Sequence, residues 1–131
     1  MTTTQTPLVT GVDFTTVPTT DVERSVGFYE GTLGLPCSAR WGEVVGAEFE
    51  TGNLTIAAFD FAAVGMEPPA ASGGSIAFRV DDVVAAKAEL ESRGVEFQGE
   101  IVDSGVCHQA YFADPDGNHL VLHHRYAPRP D

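Results

Sequence analysis

Four histidines (His108, His119, His123 and His124) and two cysteines (Cys37 and Cys107) are the side chains best suited to bind a metal, move a proton or attack an electrophile. Imidazole titrates near neutrality, so His119 or His123 could act as a general base or a hydrogen-bond partner. On one strand these two share a face with Val121, but residues four apart are separated by about 13 Å, too far for one metal. His108 alternates with Gln109, and His124 points away from the face of His123. The cysteines lack the paired spacing of a zinc or redox motif and read as free thiols in a reducing compartment. No adjacent motif activates the thiol of Cys107, so a structural role is expected of it. Gln109 and Tyr111 could steady an oxyanion if acid–base chemistry took place.

These side chains need a scaffold. At 131 residues, 43% hydrophobic and 20% charged, the chain suits one globular domain, or two half-sized units sharing a core. No apolar run of about 18 residues marks a membrane span, and residues 1–10 lack the basic start and apolar centre of a signal peptide. A cytoplasmic location is therefore expected, with no membrane partner. The formal charge of −12 argues against nucleic acid as a partner and would favour a cationic ligand if it lined a groove. Its simpler consequence is solubility.

Residues 1–7 carry no pattern and read as a tail. Val9–Pro18, rich in Val, Thr and Phe, suits a strand. Asp21 can cap a helix whose apolar stripe is Val22, Val26, Tyr29 and Leu33, and Gly34 ends it. Pro36–Trp41, Val44–Glu50 and Leu54–Phe61 read as strands, with turns at Gly42 and Gly52-Asn53. Residues 62–73, with Pro68-Pro69, form a linker. The order then repeats from about residue 74. Ser75–Val80 is a strand, Asp81 or Asp82 caps a helix bearing Val83, Ala86 and Leu90, and Gly94 stops it. Val95–Phe97, Gln98–Asp103, Val106–Ala113 and His119–His124 are strand-like, with a tight turn at Asp114–Asn118. A shift of about 61 places overlays Asp21 on Asp82 and Phe14 on Ser75, an internal duplication of pattern rather than of identity. The expected fold class is α+β: two βαβββ modules (about 9–61 and 74–124) forming a curved mixed sheet with an open cup, helices on the outer face.

Three segments carry a family resemblance. Val17–Pro36 (VPTTDVERSVGFYEGTLGLP) resembles the first-helix signature of the vicinal oxygen chelate superfamily. Gly73–Val83 (GGSIAFRVDDV) fits the start of its second module, and Ala113–Leu122 (ADPDGNHLVL) its closing hairpin. That superfamily includes glyoxalases, extradiol dioxygenases, thiol transferases that inactivate fosfomycin, and metal-free bleomycin-binding proteins. The resemblance implies a homodimer in which modules of different subunits often complete each cleft. It also places the usual divalent-metal ligands, His, Glu or Gln, at Phe14, Ala57, Ser75 and Val121. Phenylalanine, alanine and valine offer no lone pair, and serine is a poor ligand, so no metal and no cofactor is expected. A slip of one residue would bring in Asp13, but on the opposite strand face.

Alternation predicts the residues lining the cup. They are Phe14 and Thr16 on the first strand, Thr55, Ala57 and Phe59 on the fourth, and Ser75, Ala77 and Arg79 on the fifth. Cys107, Gln109 and Tyr111, then His119, Val121 and His123, come from the last two strands, and Trp41 stands at the mouth. Such a cup suits a planar aromatic or cationic small molecule stacked between rings, although each ring could equally be packing. The leading expectation is a metal-free protein that sequesters an antibiotic-like ligand at the dimer interface. The alternatives are an enzyme of the same superfamily, metal-independent or with atypical ligands, with His119 or His123 as acid or base, and a regulatory protein with a vestigial cup.

Overall fold

The computed structural model describes residues 7–8, 10–42, 45–69 and 74–128. The elements run β1 (Phe14–Pro18), α1 (Val22–Val26), β2 (Cys37–Trp41), β3 (Gly46–Glu50), β4 (Thr55–Phe59), β5 (Ser75–Arg79), α2 (Val83–Ser92), β6 (Gln98–Asp103), β7 (Cys107–Ala113) and β8 (His119–Arg125). This is βαβββ twice, the α+β class expected from the sequence. Hydrogen bonding makes two four-stranded sheets, ordered β1-β4-β3-β2 and β5-β8-β7-β6. In each, the first strand runs parallel to the last of its module, and the other pairs are antiparallel.

Local chemistry explains the boundaries. The Asp21 carboxylate accepts from the Arg24 amide at 3.1 Å, and Asp82, not Asp81, caps α2 by accepting from Ala85 at 3.0 Å. Gly34 (φ +78°) and Gly94 (φ +92°) take the left-handed conformation that closes the two helical segments. After Val26 the first helix widens into a π-helical turn over Gly27–Thr32, where the Leu33 amide reaches back to the Phe28 carbonyl at 2.9 Å. The regular stripe read from the sequence does not anticipate that widening.

Three expectations shift. The first strand begins at Phe14, and the expected starts at Val9 and Val44 lie outside the described residues, as do the tail 1–6 and linker residues 70–73. Within the linker, Ala62–Val64 forms a short 3₁₀ turn. Val95–Phe97 is not a strand. The Val95 amide donates to the Leu90 carbonyl at 3.0 Å, finishing α2, and the Phe97 ring lies 5.0 Å from that of Phe112.

The helix-covered faces of both sheets share one core. Val17, Tyr29, Phe49 and Ile56 from the first module join Val83, Leu90, Phe112, Leu120 and Leu122 from the second. The Tyr29 ring stacks on Phe49 at 5.2 Å. Burying each large apolar side chain contributes about 1.5–3 kcal/mol. A polar clasp also joins the modules. The Tyr29 hydroxyl donates to Asp114 at 2.7 Å, and the Asn118 side-chain Nδ2 donates to the Pro18 carbonyl at 3.0 Å. Asp116 accepts from the Thr19 hydroxyl (2.7 Å), the Thr20 amide (3.1 Å) and the Arg24 guanidinium (2.6 Å). Burial alone would raise the pKa of Asp116, but these hydrogen bonds and the Arg24 charge outweigh it and hold the carboxyl below its ordinary range. Burial, and then the Asp114 charge, pushes the Tyr29 phenol far above its ordinary value.

Candidate functional site

Because Val17, Ala47, Phe49, Ile56 and Ala58 belong to the core, their strand neighbours face the other way. Register then places the first module's outer face in rows. Phe14 lies beside Thr55 and Glu50; Thr16 beside Ala57, Glu48 and Ala39; Pro18 beside Phe59, Gly46 and Trp41. The second module repeats the scheme. Ser75 lies beside His119; Ala77 beside Val121, Tyr111 and Gln98; Arg79 beside His123, Gln109 and Val102. Cys107 pairs with Arg125 at the end of the same face. Every residue assigned to the cup by alternation is thus on the sheet face opposite the core.

The walls differ in character. In the first, Trp41 and Phe59 have ring centroids 6.3 Å apart, and Phe61 meets Phe59 edge-on at 4.7 Å. Gly46 lets the indole lie across β3: a Cβ there would fall 2.5 Å from the Trp41 ring and 2.8 Å from the Ala58 carbonyl oxygen. Glu50 accepts from Ser38 and Thr55, and those hydrogen bonds hold its carboxyl below the usual range. The second wall carries Arg79, His119, His123 and Arg125. The Tyr111 hydroxyl donates to the Gln109 side-chain oxygen, leaving the Gln109 amide group as a donor next to His123.

Ladder pairing holds Trp41 and Phe59 on one sheet and Gln109, Tyr111 and His123 on the other, and does not bring them together. A cavity of about 300 Å³ lies between β1 and β5, lined by Thr16, Ser75 and His119 together with the core-side residues Val17 and Ile76. Phe14 is 55% exposed, whereas Ala57, Cys107 and Val121 are buried at the floor of their sheets. A separate apolar cavity of about 480 Å³ opens on the helix-covered side, between Leu33, Leu54, Ile76, Phe78 and Leu90; no sequence pattern had marked it. The remaining histidines stand apart. His124 contacts the Val80 carbonyl at 3.2 Å, and His108 lies 3.4 Å from Asp103 and stacks near Tyr126. Glu48, Glu50, Phe61 and Arg125 share the sheet faces or aromatic cluster of the predicted cup and were missed. The alternation Ala47-Glu48-Phe49-Glu50 was the available signal for the two carboxylates.

The positions where the resemblance places metal ligands do not fit a metal. Phe14 and Thr55 are paired, which fixes the register and leaves Asp13 before β1 begins. Ala57 and Val121 have no donor, and no three His, Cys, Asp or Glu side chains gather among the described residues.

The family model of the Glyoxalase/Bleomycin resistance protein/Dioxygenase superfamily matches residues 11–122, and the chain belongs to that superfamily. Glutathione transferase FosA of Serratia marcescens is 32% identical over 111 residues, 82% of this chain and 76% of that protein. Lactoylglutathione lyase of Schizosaccharomyces pombe is 38% identical over 58 residues, 44% of this chain but 19% of that protein. The solved structure of TnmS3, an antibiotic binding protein from Streptomyces sp. CB03234, superposes with a TM-score of 0.75 at 27% identity, covering 92% of this chain and 99% of that one. No helix among the described residues is long and apolar enough to cross a membrane.

Proposed function

We propose that this protein is a metal-free small-molecule-binding member of the superfamily, working as a single domain and sequestering an aromatic or cationic antibiotic-like ligand. The observation that carries this reading is that Phe14, Ala57, Ser75 and Val121, none with a good metal donor, stand where the resemblance places the ligands, on sheet faces turned from the core. The aromatic group Trp41, Phe59 and Phe61 offers stacking surface, and likeness to an antibiotic binding protein supports the same use. A cleft completed by the second module of another copy accords with the two walls standing on separate sheets, so the working form is a homodimer in the cytoplasm. Sequestration requires affinity alone.

A second reading, a metal-independent enzyme, has one observation in its favour: Arg79, His123 and Gln109 are cross-strand neighbours, with Tyr111 bonded to Gln109. There His123 would move the proton and Gln109 would meet an oxyanion.

The test is thermal melting of the protein with zinc, iron, manganese and nickel, followed by calorimetric titration with a panel of aromatic antibiotics. Saturable binding without product, and no metal-dependent shift, is expected. Stoichiometric metal with a clear rise in Tm would overturn the binding reading, and turnover of a bound compound would favour the enzyme.

A further inference from the structure

Glu48 occupies an unusual place on the first wall. Its cross-strand neighbours are Ala57 and Ala39, so both flanks of its side chain are low. Two residues back along β3 stands Gly46, over which the Trp41 indole lies, with Phe59 on the far side. Diagonal neighbours on adjacent strands are about 7–8 Å apart, which brings the carboxylate within reach of the indole edge. Glu50, one step further on, is already occupied by Ser38 and Thr55. Glu48 forms none of the ion pairs found among the described residues. A carboxylate half-shielded from water, flanked by methyl groups and set beside aromatic rings, matches an organic ammonium. The cation would meet the carboxylate and the face of a ring together, while its aromatic body stacks on Trp41 or Phe59.

We infer that Glu48 is the cation anchor of the cup, and that the protein selects aromatic ligands bearing an ammonium group over neutral ones. This rests on the binding reading above and narrows its ligand class. A neutral polar group would leave the carboxylate desolvated and unpaired, which penalises the wrong ligand as well as favouring the right one.

The experiment is isothermal titration calorimetry with a matched pair, 2-(2-naphthyl)ethylamine, cationic at pH 7, and 2-(2-naphthyl)ethanol. The native protein should bind the amine about tenfold more tightly, the scale of a partly shielded cation–π contact plus a charge-assisted hydrogen bond. Glu48→Gln should bring the two within about twofold, by weakening the amine and by relieving the penalty on the alcohol. Glu91→Gln, on the outer surface of α2, changes net charge equally and should keep the preference. If Glu48→Gln fails to fold, Ala39→Arg, which sets a guanidinium beside the carboxylate, should abolish the preference instead. Equal binding of both probes by the native protein overturns the anchor while leaving an aromatic-binding cup intact. Binding of neither overturns the anchor and the aromatic cup together. A preference that survives Glu48→Gln assigns it to another residue and overturns the inference.

Discussion

Asp116→Asn tests the clasp that fixes one module against the other. In the native chain the Asp116 side chain is 7% exposed and accepts from Thr19, Thr20 and Arg24. The Thr19 hydroxyl already accepts from the Ser25 hydroxyl at 2.8 Å and the Asp21 amide at 3.1 Å. An asparagine that keeps its oxygen toward Thr20 and Arg24 must therefore aim its NH₂ at an oxygen with no free lone pair. One hydrogen bond is lost and one charge-assisted pair becomes neutral. Arg24 is 44% exposed, so solvent screens much of its share. The net cost is about 2 kcal/mol, or roughly 6–10 °C in Tm for a chain of this size. The folded pKa lies below the unfolded value, so this stabilisation is complete above about pH 4 and is lost as pH falls through the folded pKa. Urea denaturation followed by circular dichroism should show a constant gap between native and variant from pH 7 to 5, narrowing below about pH 4. A gap under about 0.5 kcal/mol at pH 7, or one unchanged in acid, would refute this account.

Tyr29→Phe removes the buried hydroxyl donor to Asp114 and should cost about 1–2 kcal/mol in chemical denaturation. The folded phenol keeps its proton far above the unfolded value of about 10, so native stability falls as pH rises past about 10, and the variant should lose that part of the decline. Phe112→Ala, at a fully buried core site, should cost about 3–5 kcal/mol by the same assay. Gly46→Ala should drive the Trp41 indole off β3, red-shifting the fluorescence of the single tryptophan; an unchanged spectrum would mean the indole does not depend on that glycine.

Much of the fold was legible because its signals are local. Asp21 and Asp82 sit where free helix amides need an acceptor, Gly34 and Gly94 sit where φ turns positive, and period-two alternation separates Ile76, Phe78 and Val80 from Ser75, Ala77 and Arg79. The same alternation separates the residues on the sheet face opposite the core from those that face it, since a sheet face is a property of each strand. Features that depend on distant partners were not legible. Nothing near Tyr29 announces a bond to Asp114, 85 residues away, and nothing in Gly27–Thr32 announces the wider turn. Val95–Phe97 has a strand's composition, yet it serves to close α2 and carry Phe97 to Phe112. Glu48 reads as a solvent-facing residue until register sets it between two alanines and beside an indole.

The four positions where the resemblance places metal ligands lie outside the hydrophobic core. Phe14 is more than half exposed, Ser75 is exposed, and Ala57 and Val121, though buried, face away from the cluster that contains Ile56 and Leu120. A substitution at any of them therefore removes no contact of that core cluster. The clasp and the core are a different matter. They fix the strand faces whatever those faces carry, so the sheets can keep their register while the side chains on the faces turned from the core are exchanged. On this reasoning Ser75→His together with Phe14→His should leave the Tm within a few degrees of native, because both positions are exposed and lie on the side of each ladder turned from the core. A collapse of the fold would instead show that these faces are bound into its stability.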